Sequence, residues 1–459
     1  MKKLICIILF ACFTPGIVLM AQNLILNPGF EKAGDNLPEG WSANYPRKEI
    51  APVFSTDNSA VHSGKSSARI SSGGSIGTYG FITSTVKGIV SRSSSIPDPV
   101  TLPDSVILGN TSYLIGGHFK ISDGIDPEKN VRLRVAWLDK DNNELLAEFI
   151  TNKTSEKDWY RVAGVRSAPV NAVGLSISLV LQWADKGSVW WDDIFVEKAP
   201  SQEKRTVKIA SAAEWPRHPS TTEKNLQYYS DKIIEAGKLG ADIICLGEGI
   251  SIVSTGKNFE QAAETIPGPT SKSLGEAASK AGIYVIAGIY EREGSLIYNT
   301  AILIDRKGNV AGKYRKIHLP ETEVTGGLTP GSGYPVFKTD FGTIGIEICY
   351  DNFFPEVAHN LMLHGAEIVF CPIWGDIRGL RQEWDIVSRA RAIDNAVFFV
   401  ASMYEKGLSR IIDPNGKILS DTGHTGGLII APVNLGMRTF ERWLSMKSFG
   451  EWRNLAPMN

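Results

Sequence analysis

Gly342-Thr-Ile-Gly-Ile-Glu-Ile-Cys349-Tyr-Asp-Asn-Phe-Phe-Pro-Glu356 decides the reading of the chain. Thr343 to Ile348 alternates and is β-branched, the pattern of a strand entering a core. Pro355 followed by Glu356 suits the first turn of a helix, expected to run to His364. Cys349 therefore falls between a strand end and a helix start. Backbone N–H groups and the positive end of a helix dipole there favour a thiolate, and a nucleophile is expected.

The period around this stretch is that of an α/β domain. Strands are expected over Val207 to Ala210, Asp242 to Leu246, Tyr284 to Tyr290, Asn299 to Ile304, Glu367 to Cys371 and Val397 to Ser402. Helices are expected over Thr222 to Leu239, Ser271 to Ala281 and Glu383 to Ile393. Function in such domains gathers at the carboxyl ends of strands. Two further ends carry chemistry. Ala241-Asp-Ile-Ile-Cys-Leu-Gly-Glu248 drives an apolar strand into a carboxylate, and Gly312-Lys-Tyr-Arg-Lys-Ile-His-Leu-Pro320 is a basic cluster before a Gly/Pro loop. An acid, a cation and a thiol at separate strand ends are the parts for acyl transfer through a thioester.

These motifs, in this order, resemble the nitrilase superfamily of carbon–nitrogen hydrolases over about Lys204 to Asn434. Further matches are Ile266-Pro-Gly-Pro-Thr270, Tyr298-Asn-Thr-Ala301, Leu328-Thr-Pro-Gly331, Arg389-Ala-Arg-Ala-Ile-Asp-Asn395 and Ile412-Asp-Pro-Asn-Gly416. Gly247 departs from the resemblance, since the family often has Pro there. The resemblance implies a four-layer α-β-β-α sandwich that assembles into homo-oligomers. It implies a Glu248–Lys316–Cys349 triad, with Glu248 as general base and the Tyr350 backbone N–H joining Lys316 at the oxyanion. Glu323 would position the leaving nitrogen, with Glu321 close enough to compete. Trp374 and Asp376 lie where similar enzymes contact substrate. No metal or organic cofactor is implied at this site, and the substrate is a linear amide or an N-carbamoyl (ureido) compound.

The preceding half, residues 22–199, is rich in Ser, Gly and short alternating runs such as Tyr113 to Ile121, Val131 to Leu138 and Leu175 to Leu181, which argue an all-β sandwich. Asn23-Leu-Ile-Leu-Asn-Pro-Gly-Phe-Glu31, Pro38-Glu-Gly-Trp41 and Val189-Trp-Trp-Asp-Asp-Ile-Phe-Val196 are similar to the edges of jelly-roll carbohydrate-binding modules of the galactose-binding-like superfamily. The resemblance leaves room for a glycan on Trp41, Tyr79, Trp137 or Trp183 and for a structural calcium at Glu31 and Asp193. Gly73-Gly-Ser-Ile-Gly77 matches a hydrolase elbow in letters only, because no helix is expected behind it.

Residues 1–21 pair Lys2 and Lys3 with an apolar run ending at Ala21, a signal peptide for export, with a lipoprotein at Cys12 as the lesser reading. Three of the five cysteines, Cys245, Cys349 and Cys371, lie beyond it; an odd number is no disulfide framework. A net charge of −1 over 459 residues gives no footprint for nucleic acid. Residues 435–459 are left as an extension. The main reading is a hydrolase releasing ammonia; an exported glycan-binding protein on a hydrolase-like scaffold and an amide or acyl transferase are the alternatives.

Overall fold

The structure, a computed structural model, describes residues 22–34, 37–87, 107–201, 205–214, 216, 219–375, 381–404, 408–423, 427–437, 440–441 and 445–446. Residues 1–21, where a signal peptide is expected, and Asp376 lie outside the described residues. The chain divides into two compact units, Met1–Gln202 and Glu203–Asn459.

The first unit is built of strands β1 (Ser42–Asn44), β2 (Val53–Asp57), β3 (Ser67–Ser71), β4 (Tyr79–Lys87), β5 (Ser112–Ile121), β6 (Val131–Leu138), β7 (Glu144–Ile150), β8 (Lys153–Glu156), β9 (Trp159–Ser167), β10 (Gly174–Gln182) and β11 (Ser188–Ala199). They form two antiparallel sheets, ordered β1-β4-β10-β6-β7 and β2-β3-β11-β5-β9-β8. Alternation along β5 turns Tyr113 inward, where its ring lies 5.8 Å from that of Trp137 on β6 in the other sheet. Both rings are fully buried, so the two sheets share a core. Asn23 ties the opening segment to the closing strand, donating to the Ile194 carbonyl (2.8 Å) and accepting from the Val196 N–H (3.0 Å).

Trp41 and Trp137 are core residues, Tyr79 is half-buried and Trp183 is 38% exposed. Glu31 accepts the backbone N–H groups of Lys65 and Ser66, and Asp193 faces His62 and Ser63. The Gly73–Gly77 segment runs into β4, with no helix behind it.

In the second unit the elements run β12 (Thr206–Ala212), α1 (Thr222–Lys238), β13 (Ile243–Leu246), α2 (Phe259–Ala262), α3 (Pro269–Ala281), β14 (Tyr284–Glu293), β15 (Leu296–Ile304), β16 (Val310–Arg315), α4 (Glu321–Thr325), β17 (Val336–Lys338), β18 (Thr343–Ile346), α5 (Pro355–Leu363), β19 (Ile368–Ile373), α6 (Arg381–Asn395), β20 (Phe398–Met403), β21 (Arg410–Ile412), β22 (Ile418–Asp421) and β23 (Leu428–Asn434). One sheet is ordered β16-β15-β14-β13-β12-β23 and the other β17-β18-β19-β20-β21-β22. In each, three neighbouring strands are parallel: β12, β13 and β14 in the first, β18, β19 and β20 in the second.

The unbroken apolar run of β13 follows from its position. Ile243 and Cys245 face a core shared with Ile344, Ile368, Phe370 and Val400 of the other sheet, while Ile244 and Leu246 face α1 and α3. A strand covered on both faces has no polar side to show. Helices α5 and α6 lie against β18 and β20. The layers thus run helix, sheet, sheet, helix. Among the described residues, no helix is long and apolar enough to cross a membrane.

Candidate active site

Parallel strands of both sheets end on one side, and four of those ends meet. Glu248 follows β13, Cys349 follows β18, Trp374 follows β19 and Tyr404 follows β20. β18 stops at Ile346, two residues short of the sequence expectation, because the chain must turn before the thiol. Cys349 adopts φ +48°, opening a 3-10 turn over Cys349–Phe353 before Pro355 starts α5. A left-handed residue other than glycine costs about 1 kcal/mol and needs support. Asp351 gives it, accepting from the Ile348 N–H (3.1 Å), the Tyr314 hydroxyl (2.8 Å) and the His318 N–H (2.8 Å). The turn is thereby tied to the segment that carries Lys316.

Lys316 lies just beyond β16, its N–H donating to the Asn299 carbonyl at 2.8 Å. Its ammonium sits 3.0 Å from Glu248 Oε1 and 2.8 Å from Glu323 Oε1. The Asn299 amide donates to the same two oxygens, at 2.6 and 2.9 Å. The other Glu248 oxygen, Oε2, accepts the Trp374 N–H at 2.7 Å. Glu248, Asn299, Lys316 and Glu323 are all buried, whereas Glu321 on the same short helix is exposed and takes no part. Glu323 Oε2 and Asn299 Oδ1 are buried without a hydrogen-bond partner. A buried acceptor left open in this way has a lost hydrogen bond to regain from whatever enters.

The electrostatics correct one expectation. The turn does not favour a thiolate at Cys349. Burial and the facing Glu248 carboxylate push the thiol well above its usual range, and Lys316 offsets this only in part. The Glu248 carboxylate faces the thiol as a hydrogen-bond partner. Burial alone would lower Lys316, yet Glu248, Cys349 and Glu323 together hold its ammonium well above the ordinary value. Glu323 is raised to about 7, by burial first, with Lys316 opposing and the Glu248 charge adding.

The side chains of other sequence-selected residues lie outside the cluster of Glu248, Asn299, Lys316 and Glu323. Tyr350, whose N–H follows the thiol in the chain, has a side chain 38% exposed. Cys245 and Cys371 are fully buried, and burial raises both thiols. Lys313 and Arg315 pair with buried Glu291. His318 pairs with Asp351 and stacks on Phe354 at 3.8 Å. Arg391 donates to the Asn352 carbonyl beneath the turn, and Arg389 to the Gly416 carbonyl.

Asn299 and Tyr404 carried no assigned role in the sequence. Asn299 had a signal, an amide inside the apolar run Leu296–Ile304; Tyr404 had none. Among the described residues, one group has donors for a metal ion: His62, His118 and Glu156 in the first unit. The two imidazoles stack 4.0 Å apart and within 10° of parallel. Their in-plane lone pairs therefore run side by side instead of converging on one point.

The second unit is similar to known proteins. The carbon-nitrogen hydrolase family model matches residues 208–440. The omega-amidase NIT2 of Xenopus tropicalis is 32% identical over 230 residues, covering 46% of this chain and 83% of that protein. The deaminated glutathione amidase of Synechocystis sp. is 32% identical over 249 residues, covering 49% of this chain and 91% of its own. Among solved structures, an amidase from Nesterenkonia sp. is similar over 51% of this chain and 92% of its own, at 22% identity and a TM-score of 0.46. With half of its length matched by the family model and its relatives covered almost end to end, this chain belongs to the carbon-nitrogen hydrolase family.

Proposed function

We propose that the second unit hydrolyses linear amides or N-carbamoyl compounds, releasing ammonia through a thioester on Cys349. The observation that carries this is the convergence of a thiol, a carboxylate, a buried ammonium and an open acceptor oxygen on one another. Glu248 takes the Sγ proton as sulfur attacks the carbonyl carbon. Lys316 and the Tyr350 N–H face the oxyanion. Glu323 Oε2 accepts an N–H of the departing nitrogen, and Glu248 returns the proton as ammonia leaves. Water, deprotonated by Glu248, then attacks the thioester; the acid departs and the thiol regains its proton. The omega-amidase and the deaminated glutathione amidase are amidases by name, which supports an amide as substrate.

Trp374 and Asp376 are proposed to contact the substrate. Asp376→Ala is then expected to lower kcat/KM more on cationic than on neutral substrates. For the first unit we propose an exported jelly-roll module with a glycan as its ligand, and for the whole protein a homo-oligomer.

Ammonia release from primary amides, nitriles and N-carbamoyl amines and acids, measured beside Cys349→Ala, tests the reading. Turnover in the wild type that vanishes in the variant, with an acyl adduct on the Cys349 peptide by mass spectrometry, is expected. Undiminished turnover in Cys349→Ala would overturn the mechanism. Acyl product without ammonia or free acid would make the protein a transferase.

A further inference from the structure

Glu248 sits between two glycines, and they are glycines for different reasons. Gly249 has φ +59°. Gly247 lies outside the left-handed region, so conformational freedom does not explain it. Space does. A Cβ at Gly247 would stand 2.5 Å from Tyr404 Cζ, 2.7 Å from its hydroxyl oxygen and 2.9 Å from Cε1. Tyr404 is 3% exposed and its hydroxyl donates to the Glu248 carbonyl at 2.8 Å. The ring has little room to retreat, since Trp374 meets it edge-on at 5.8 Å and the Tyr229 hydroxyl lies 3.4 Å from its own. On the opposite side Gly288 donates its N–H to the Gly247 carbonyl at 3.1 Å, and a Cβ there would come within 2.6 Å of Glu248 Cα. The loop is thus closed in by backbone on one side and by the Tyr404 ring on the other.

We propose that Tyr404, seated in the space Gly247 leaves open, is the positioning residue of Glu248, holding the carboxylate in register with Cys349 and Lys316. The proposal rests on the reading of Glu248 as the base for Cys349. Tyr404 acts through the Glu248 main chain, whose carbonyl accepts its hydroxyl. The packing is reciprocal. A larger residue at 247 displaces the ring, and a smaller residue at 404 tolerates a larger one at 247.

The test uses the rate of Cys349 alkylation by iodoacetamide, read by peptide mass spectrometry between pH 6 and 10, together with kcat and KM on the best amide. Glu248→Gln sets the rate of a site without its base. Gly247→Ala is expected to slow alkylation at pH 7 by about tenfold or more, since misplacement near 1 Å costs up to about 100-fold. Tyr404→Phe keeps the ring and the fold, and is expected to lower kcat with KM unchanged. The double variant Gly247→Ala/Tyr404→Ala is expected to alkylate faster than Gly247→Ala alone. Wild-type alkylation in both single variants, or a double variant no faster than Gly247→Ala, would overturn the proposal. If no amide is turned over by the wild type, the hydrolase reading falls, while alkylation still reports whether Tyr404 sets the position of Glu248.

Discussion

Glu347 stands two residues before Cys349, fully buried, with both carboxyl oxygens lacking a hydrogen-bond partner that meets ordinary geometry. Burial, and then the charge of Asp351, raise it to about 8 from an ordinary 4.5. A carboxyl whose folded value is raised favours the folded state most below about pH 4.5 and loses that contribution as pH climbs towards 8, by up to about 1.4 kcal/mol per pH unit. Glu347→Gln should therefore melt higher than the wild type at pH 8, with the gain shrinking towards pH 4.5. Thermal melts at pH 4.5, 6 and 8 check this, and a gain that grows towards acid would refute it. At the site itself, Glu323→Gln is expected to lower kcat by roughly 100-fold, the usual scale for one preorganised polar group facing a transition state. Steady-state kinetics on the best amide, with Glu321→Gln as the neutral neighbour, decide it. Glu248 and Cys349 were legible because each ends an apolar run, and Lys316 because it stands in a basic cluster that matches the family's lysine motif. The choice of Glu323 over Glu321 rested on the family resemblance alone, because only the pitch of the short helix α4 shows which carboxylate is buried. Tyr404 was invisible because its partner lies 156 residues away.

At the scale of elements, the turn after β18 depends on one carboxylate. Asp351 meets four polar groups on two segments, the Ile348 and His318 N–H groups, the Tyr314 hydroxyl and the His318 ring, and removing it leaves the buried ones among them without this partner. Asp351→Ala is expected to cost about 3 kcal/mol, the scale of a few unsatisfied buried groups, and to remove turnover with it. Denaturant unfolding measures the first and ammonia release the second. His318 should loosen too, since its N–H and ring both depend on Asp351. The central strands of the second unit were legible from their apolar runs, and α1 from its stripe of Leu226, Tyr229, Ile233 and Ala236. The strands β17, β21, β22 and β23 escaped that reading. The first three span four residues or fewer, and β23 carries Pro432 and an exposed Asn434. Short flanking strands are specified by the neighbour they pair with more than by their own period. The β18 boundary was misplaced because Glu347 and Ile348 continue the alternation into a turn that Asp351 imposes from outside the strand.

For the whole molecule, each unit has its own sheets and its own core. Expressed alone, residues 205–459 are expected to unfold in one cooperative transition and to keep turnover within about threefold of the full chain, as separate domains commonly do. Calorimetry and ammonia release check this, and an insoluble or inactive fragment would show that the second unit needs the first. That helices cover sheets in the second unit was readable from alternating strand and helix periods, whereas the four-layer order was implied only by the family resemblance. The order of strands within each sheet was not, because β23 returns to pair with β12 from the far end of the unit.

The Lys316 side chain has no surface open to solvent, and its ammonium is shared between two carboxylates. Amine-reactive esters cannot approach it, so surface lysines can be biotinylated, dyed or coupled to a bead while the one proposed to face the oxyanion is spared. The folded protein could then be fixed to a resin through its lysines and still present a working thiol to reagents in the flow.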